Sequence, residues 1–226
     1  MPPVRYPTPE EQEVTRLRAE KLKHEIRHEA AKAKVAELEQ LHAEIKEKDR
    51  LVRPGVTRRY PFYGVVNGES AMEAIMTLEH WAARDPGEEI TIMLNSPGGD
   101  VSYGFALFDT IKRLQRKGHK ITIHGQGTVA SMAAVLLQAA DERVLDARAK
   151  VLLHEGAQVY SKGAQVTRGE EEDMRKHRDM LVNDMLEVLS ERSTLTKRQI
   201  ENKMKRTDWW MSAEDAVKFG FADRVE

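Results

Sequence analysis

Cysteine is absent from the 226 residues of this chain. Its absence excludes disulfide bonds, thiolate metal sites and cysteine nucleophiles. No apolar run approaches the roughly 18 residues that a membrane-spanning helix needs. The first residues, MPPVRYPTPEEQEV, also lack the apolar core of a signal peptide. We therefore expect a cytoplasmic protein with no membrane partner.

The chain also lacks an excess of charge of one sign. It has 36 basic and 37 acidic residues, for a formal net charge of −1. Such a balance provides no overall attraction to nucleic acid, so we expect no nucleic-acid partner. Hydrophobic residues are 40% of the chain and charged residues 32%, which is typical of a globular protein enriched in charge. The length suits one sizeable domain with an appendage.

The N-terminal part is unusually rich in Glu, Lys, Arg, Ala and Leu, and residues 10–50 contain neither glycine nor proline. This composition predicts a helix of about 40 residues, roughly 60 Å long, which is too long to fold back inside a small domain. Leu38, Leu41 and Ile45 keep the spacing of a coiled coil, but the register breaks upstream. We assign residues 1–57 to a charged helical arm and linker, either a weak coiled coil or a helix that docks on a partner.

The arm contains His24-Glu25-Ile26-Arg27-His28, which matches the H-E-x-x-H motif of zinc peptidases. That motif needs a buried helix and a third ligand from elsewhere. Here lysine, arginine and glutamate surround it, so little could bury the helix. We interpret the motif as a solvated helix face and expect no metal site.

Residues 58–226 read as alternating strands and helices, which indicates an α/β domain with crossover connections. RRYPFYGVV is typical of a strand, and Ser70 is expected to cap the helix that follows. EITIML is typical of a buried parallel strand. KITIHG is expected to be a further strand and GQGTV a loop. An apolar helix, two short strands and a long amphipathic helix then follow.

Two loops with glycine follow predicted strands, which is where α/β folds place their chemistry. The first is SPGGD, residues 96–100, either a plain turn or a source of bare backbone N–H groups. The second leads into Ser131 at the start of the apolar helix. Ser131 could be a helix N-cap or a nucleophile. It does not fit the G-x-S-x-G motif, because Val129 and Ala133 occupy the glycine positions.

Two histidines end predicted strands and are candidates for a general base. His154 follows the apolar run Val151-Leu152-Leu153, and His124 ends the strand KITIHG. A single histidine at such a place is more often structural than catalytic. The residues alone leave both open.

Taken together, the pieces resemble the Clp protease proteolytic subunit family, ClpP. The matching segments, in order, are NSPGGDV, FALFDTI, GTVASMAAVLLQAA, KVLLHEGA and TDWWMSAEDAVKFGFAD. The resemblance covers roughly residues 91–225. It implies a ClpP/crotonase-like α/β fold for residues 58–226, carrying the N-terminal helical extension. It also implies a serine peptidase. Nothing in the sequence calls for a metal or an organic cofactor, so we expect none.

Carried over to this sequence, the resemblance implies that Ser131 is the nucleophile, His154 the general base and Asp208 the acid that orients the base. It further implies that the backbone N–H groups of Gly99 and Met132 form the oxyanion hole. By spacing alone, three aspartates on the charged helix compete with Asp208 for the third role. They are Asp173, Asp179 and Asp184.

The resemblance also implies homo-oligomeric rings, heptameric and usually doubled, that enclose protein or peptide substrates. Residues 155–193 would form the strand-and-helix "handle" through which rings stack. Two features depart from the family pattern. His-Glu-Gly replaces the usual His-Gln-Pro after the base, and the arm stands where a short loop meets an AAA+ ATPase. The arm favours the phage or prophage branch, whose partners are scaffold and capsid proteins, over a role with the ATPase.

Two other classes of function stay open. One is a non-catalytic ring-forming assembly protein with a relic triad. The other is a crotonase-type acyl-CoA enzyme, which shares the fold but would have no use for Ser131, His154 and Asp208 together. A serine-directed probe would distinguish them from a working peptidase.

Overall fold

A computed structural model of the protein describes residues 29, 32–41, 43, 44, 58–155, 168–205 and 207–226. The chain divides into two units, residues 1–56 and residues 57–226. In the first unit, the described residues are helical, with Leu38 and Leu41 half-buried and Val35 exposed. The H-E-x-x-H motif and Ile45 lie outside the described residues. No helix in the described ranges is long and apolar enough to cross a membrane.

The second unit contains seven strands and six helices among its described residues. The strands are β1 (Arg58–Tyr63), β2 (Ile90–Ser96), β3 (Ile121–Ala130), β4 (Glu142–Leu145), β5 (Lys150–Leu153), β6 (Trp209–Ser212) and β7 (Arg224–Val225). The helices are α1 (Gly68–Arg84), α2 (Val101–Arg116), α3 (Met132–Leu137), α4 (Arg168–Glu191), α5 (Lys197–Met204) and α6 (Ala213–Lys218).

The main sheet has the order β1-β2-β3-β4-β7, and all these pairs are parallel. Helices α1 and α2 make the crossovers that parallel neighbours require. Apolar side chains of β2 and β3 form the centre of the core, where Ile90, Leu94, Ile121 and Ile123 are at most 1% exposed. The α/β fold class predicted from the sequence is confirmed.

Strand β3 changes its neighbour part-way along its length. Its first half pairs with β4, up to Gly125 opposite Leu145, and its last residues, from Thr128 to Ala130, pair with β5. Gly127, with φ of 55°, lies at the change, and the Asn95 side chain accepts a hydrogen bond of 3.1 Å from the Thr128 N–H. The prediction that GQGTV is a loop was wrong, because its backbone stays within the sheet.

The start of α1 differs from the prediction by one turn. Asn67 is the N-cap, and its side chain accepts a hydrogen bond of 2.9 Å from the Ser70 N–H. The Ser70 hydroxyl accepts in return from the Asn67 N–H at 3.0 Å. Ser70 is therefore the second member of a capping box rather than the cap itself.

A buried arginine joins β4 to the C-terminal segment. Arg143 is 3% exposed, and its guanidinium contacts Asp223 at 2.6 Å and donates to the Gly220 carbonyl at 2.7 Å. It also donates to Gln138 at the end of α3. Burial alone would raise the pKa of Asp223, but hydrogen bonds from Arg143 and the nearby Arg192 charge outweigh it and hold that pKa below its usual value.

Replacing Asp223 with Asn is expected to lower the free energy of unfolding by about 2–4 kcal/mol near pH 7, because Arg143 stays buried without its charged partner. A carboxyl with a lowered folded-state pKa stabilises the fold above its unfolded pKa, and this contribution disappears as the pH falls through the folded value. The difference between wild type and D223N, measured by denaturant unfolding, should therefore shrink in acid.

The matched control is Arg224→Gln, which breaks an exposed pair with Glu142 and should cost less than about 1 kcal/mol. Equal effects of the two substitutions would contradict the role assigned to the buried arginine.

Candidate active site

Ser131 lies at a sharp turn between strand β3 and helix α3. Its φ of 55° and ψ of −123° make it the one non-glycine residue with positive φ in the described part of the chain. An L-residue in such a conformation is strained, and strain of this kind accumulates at functional sites. A serine at a strained strand-to-helix turn also exposes its Oγ, as in nucleophile elbows.

The turn closes tightly because of a glycine on the neighbouring loop rather than glycines beside Ser131. Gly98 has φ of 90°, and a Cβ placed there would lie 2.6 Å from the Ala130 carbonyl oxygen and 2.7 Å from the Ser131 Cβ. Neither contact is sterically possible. Gly98 thus supplies the space that G-x-S-x-G turns obtain within their own motif.

The side chain of Ser131 does not cap α3. Ser131 occupies the N-cap position, but its Oγ makes no capping hydrogen bond. The interpretation of Ser131 as a serine whose side chain caps the helix is therefore wrong. A half-buried hydroxyl remains at the turn.

Strand pairing brings His154 and Asp208 to adjacent strands beside this turn. The Ser131 N–H donates to the Leu152 carbonyl at 2.8 Å, and His154 follows two residues later at the end of β5. Strand β6 runs antiparallel to β5, with Leu153 opposite Trp209. One further step in that register sets Asp208 opposite His154.

The contact between His154 and Asp208 is loose. The His154 Nδ1 and the Asp208 Oδ1 are 3.9 Å apart, which is longer than a hydrogen bond. The His154 side chain is 29% exposed and that of Asp208 63%. The two groups are neighbours across the strand pair, but Asp208 is not buried against the imidazole.

Gly99 and Met132 present backbone N–H groups near the turn. The bridge between Val66 and Gly99 is made by the residues on either side of Gly99, because Val66 N–H donates to Gly98 and Asp100 N–H donates to Val66, each at 2.8 Å. The N–H of Gly99 therefore points away from Val66. Met132 is the first residue of α3, where an N–H has no partner within the helix.

The position of Gly99 requires glycine. Its φ is 148°, and a Cβ there would lie 2.1 Å from the Val66 carbonyl oxygen. In the described residues, neither the Gly99 N–H nor the Met132 N–H has a backbone or side-chain acceptor. The loop SPGGD thus holds an N–H without an acceptor among the described residues, next to Gly98, which packs against Ser131.

The residues that compete with His154 for the role of base, and with Asp208 for the role of acid, lie in different surroundings. His124 Nε2 contacts the Asp146 Oδ1 at 2.7 Å, in the part of β3 that pairs with β4, before the bend that leads to Ser131. The three competing aspartates all lie on exposed positions of α4, and one of them, Asp179, lines a cavity together with His154. The described ranges contain no group of three His, Asp or Glu residues suited to a metal ion.

Comparison with known proteins identifies the family. The family model described as Clp protease matches residues 56–226. The chain belongs to the Clp protease family. Two curated relatives are named ATP-dependent Clp protease proteolytic subunit 1. That of Chlamydia muridarum is 33% identical over 174 residues, covering 75% of this chain and 86% of the relative. That of Protochlamydia amoebophila is 31% identical over 174 residues, covering 75% and 80%.

A third relative is the ATP-dependent Clp protease proteolytic subunit of Streptococcus suis. It is 30% identical over 167 residues, which cover 72% of this chain and 81% of the relative. The resemblance drawn from the five sequence segments is thereby confirmed, and so are the ClpP-like fold and membership of a family of peptidases.

Sequence reasoning missed two contributors to the site. Gly98 was considered only as part of a glycine pair, although it is the residue that admits the Ser131 turn. Asn95, which holds the bend in β3, was not singled out at all. Asn95 and Thr128 are 33 residues apart in the sequence, so no local pattern signals their contact.

The strain at Ser131 is expected to make glycine more stable than alanine at this position. Both substitutions remove the Oγ, so their difference isolates the backbone conformation. We expect S131G to exceed S131A by about 1 kcal/mol in free energy of unfolding, measured in denaturant. The control is Ala106→Gly in the middle of α2, which should be destabilising by about 1 kcal/mol. S131A matching or exceeding S131G would show that the turn is unstrained.

Proposed function

We propose that this member of the Clp protease family is a serine endopeptidase with Ser131 as nucleophile, His154 as general base and Asp208 as the acid that orients the base. The observation that carries the proposal is the strained turn at Ser131, fixed beside β5 by its own N–H. This backbone conformation costs about 1–3 kcal/mol. The Ser131 side chain makes no capping hydrogen bond that would offset this cost, so stability alone does not explain a serine here.

The chemistry follows from these roles. The neutral imidazole of His154 accepts the proton of the Ser131 hydroxyl as the oxygen attacks the peptide carbonyl. Asp208 holds the imidazole in the tautomer that can accept this proton and stabilises the imidazolium that forms. The N–H groups of Gly99 and Met132 donate to the oxyanion of the tetrahedral intermediate. The protonated His154 then donates to the leaving amine.

The loose pair of His154 and Asp208 bears on this mechanism. Their 3.9 Å separation must shorten by about 1 Å for a hydrogen bond to form. Catalytic hydrogen bonds are often long before substrate binds and tighten in the reacting complex. The same distance favours the second candidate function, a ring-forming assembly protein that does not cleave peptides.

We propose further that the protein works as a homo-oligomeric ring. Members of the family form rings and act on protein substrates together with Clp ATPases, which supports this assembly. We propose that the ring is heptameric and that residues 1–57 are a charged helical arm and linker that precede the peptidase domain of residues 58–226 in the chain. The arm suits phage or prophage maturation, with scaffold or capsid proteins as substrates, better than an exchange of substrate with an AAA+ ATPase.

Labelling with a fluorophosphonate tests the nucleophile. The full-length wild type is expected to bind the probe covalently at Ser131, because only an activated serine attacks phosphorus at a useful rate. Peptide mapping by mass spectrometry locates the adduct, and S131A should lose it. The control is Ser190→Ala on α4, which should keep the labelling. An unlabelled wild type that nonetheless forms rings would favour the assembly protein.

Replacing Asp208 with Asn tests its proposed role as the acid of the catalytic triad. We expect kcat for a peptide substrate to fall by about 10²–10⁴, because an amide favours the wrong imidazole tautomer. Asp184→Asn changes a competing aspartate on an exposed position of α4 and should alter kcat less than twofold. If D184N rather than D208N lost activity, the assignment of the acid would be wrong.

A further inference from the structure

A cavity of about 270 Å³ lies beside His154, between helices α4 and α5. Part of its wall is apolar. Met185, Leu186 and Met204 are at most 7% exposed, and Val182 packs partly buried against the core. Because His154 lines the same cavity, a side chain that enters it is held next to the proposed catalytic base.

Charged residues form the rest of the wall, and most of them are acidic. They are Glu155, Asp179, Glu201 and Arg178. Arg178 is already engaged, since its Nη2 contacts the Asp179 Oδ1 at 2.9 Å. Because Arg178 and Asp179 offset each other, the Glu201 carboxylate gives this part of the wall a negative charge, and the cavity favours a positive charge.

A side chain suited to these walls is long, apolar along its stem and cationic at its end. Lysine and arginine have that shape, because their methylene groups can contact methionine and leucine while the charged head stays near carboxylates and water. A glutamate would meet like charges, and an alanine would leave most of the volume unfilled.

We propose that this cavity selects a lysine or arginine next to the bond that is cleaved, and that Glu201 is the residue that recognises the charge. The inference rests on the proposed peptidase function, since the contact with His154 is what ties the cavity to the reaction. It adds to that function a substrate class, polypeptides cut beside basic residues.

Glu201 is the best placed of the three carboxylates. It lies three residues before Met204 on α5, so the two side chains share one face of that helix. It has no ion pair within the described part of the chain. Asp179 is paired with Arg178, and Glu155 follows the proposed base directly, so a change at either would alter more than charge recognition.

Peptide cleavage by the full-length protein measures the selection. Two series of otherwise identical peptides carry lysine, norleucine or glutamate on one side or the other of the scissile bond. Norleucine keeps an apolar stem without the charge. In one series we expect kcat/KM for lysine to exceed that for norleucine about tenfold and that for glutamate about a hundredfold. Rising ionic strength should reduce both ratios.

Two variants and one control isolate the contribution of Glu201 to this selection. Glu201→Gln should bring the kcat/KM for lysine within about threefold of that for norleucine, and Glu201→Lys should place glutamate above lysine. Glu214→Gln, which removes an exposed carboxylate outside the cavity wall, should keep the wild-type order.

The outcomes separate the two proposals. Norleucine preferred in both series, with no response to Glu201→Gln and with Ser131 still labelled, would overturn the basic-residue selection and leave the serine peptidase standing. Loss of all cleavage together with an unlabelled Ser131 would overturn both.

Discussion

The change of neighbour along β3 is the constraint on which the rest of the site depends. Had the strand stayed beside β4, its end would have no contact with β5. By bending at Gly127 it pairs with β5 instead, and the bond from the Ser131 N–H to the Leu152 carbonyl follows. The same pairing places His154 near the turn and allows β6 to join the far side of β5.

Most of the secondary structure could be predicted because it follows from local patterns. Apolar β-branched runs became buried strands, and α2 ended just before Gly118, which has positive φ. Prediction failed where local composition and long-range pairing disagree. GQGTV has the glycines of a loop, yet Gly125 pairs with β4, Thr128 and Val129 pair with β5, and the Asn95 side chain accepts a hydrogen bond from the Thr128 N–H. Composition cannot show a partner that lies far away in the sequence.

The candidate site was harder to predict than the secondary structure from the residues alone. The residues alone allow Ser131 to be a helix cap or a nucleophile, and the cap is excluded only by the structure, in which its side chain makes no capping hydrogen bond. The juxtaposition of His154 and Asp208 depends on an antiparallel strand pair within a sheet whose other pairs are parallel. The resemblance to a family supplied these assignments because ordered motifs carry three-dimensional information that single positions lack. The acidic cavity had no such motif, since its walls come from segments far apart in the chain.

The two ends of the main sheet have a consequence for behaviour at high concentration. An open strand edge is a template on which another chain can add, and this is a common route to aggregation. Strand β1 carries Pro61, which cannot donate to a further strand, together with the exposed charge of Arg59. Strand β7 is only two residues long. Both edges are therefore poor templates, and edge-to-edge polymerisation through the main sheet is disfavoured.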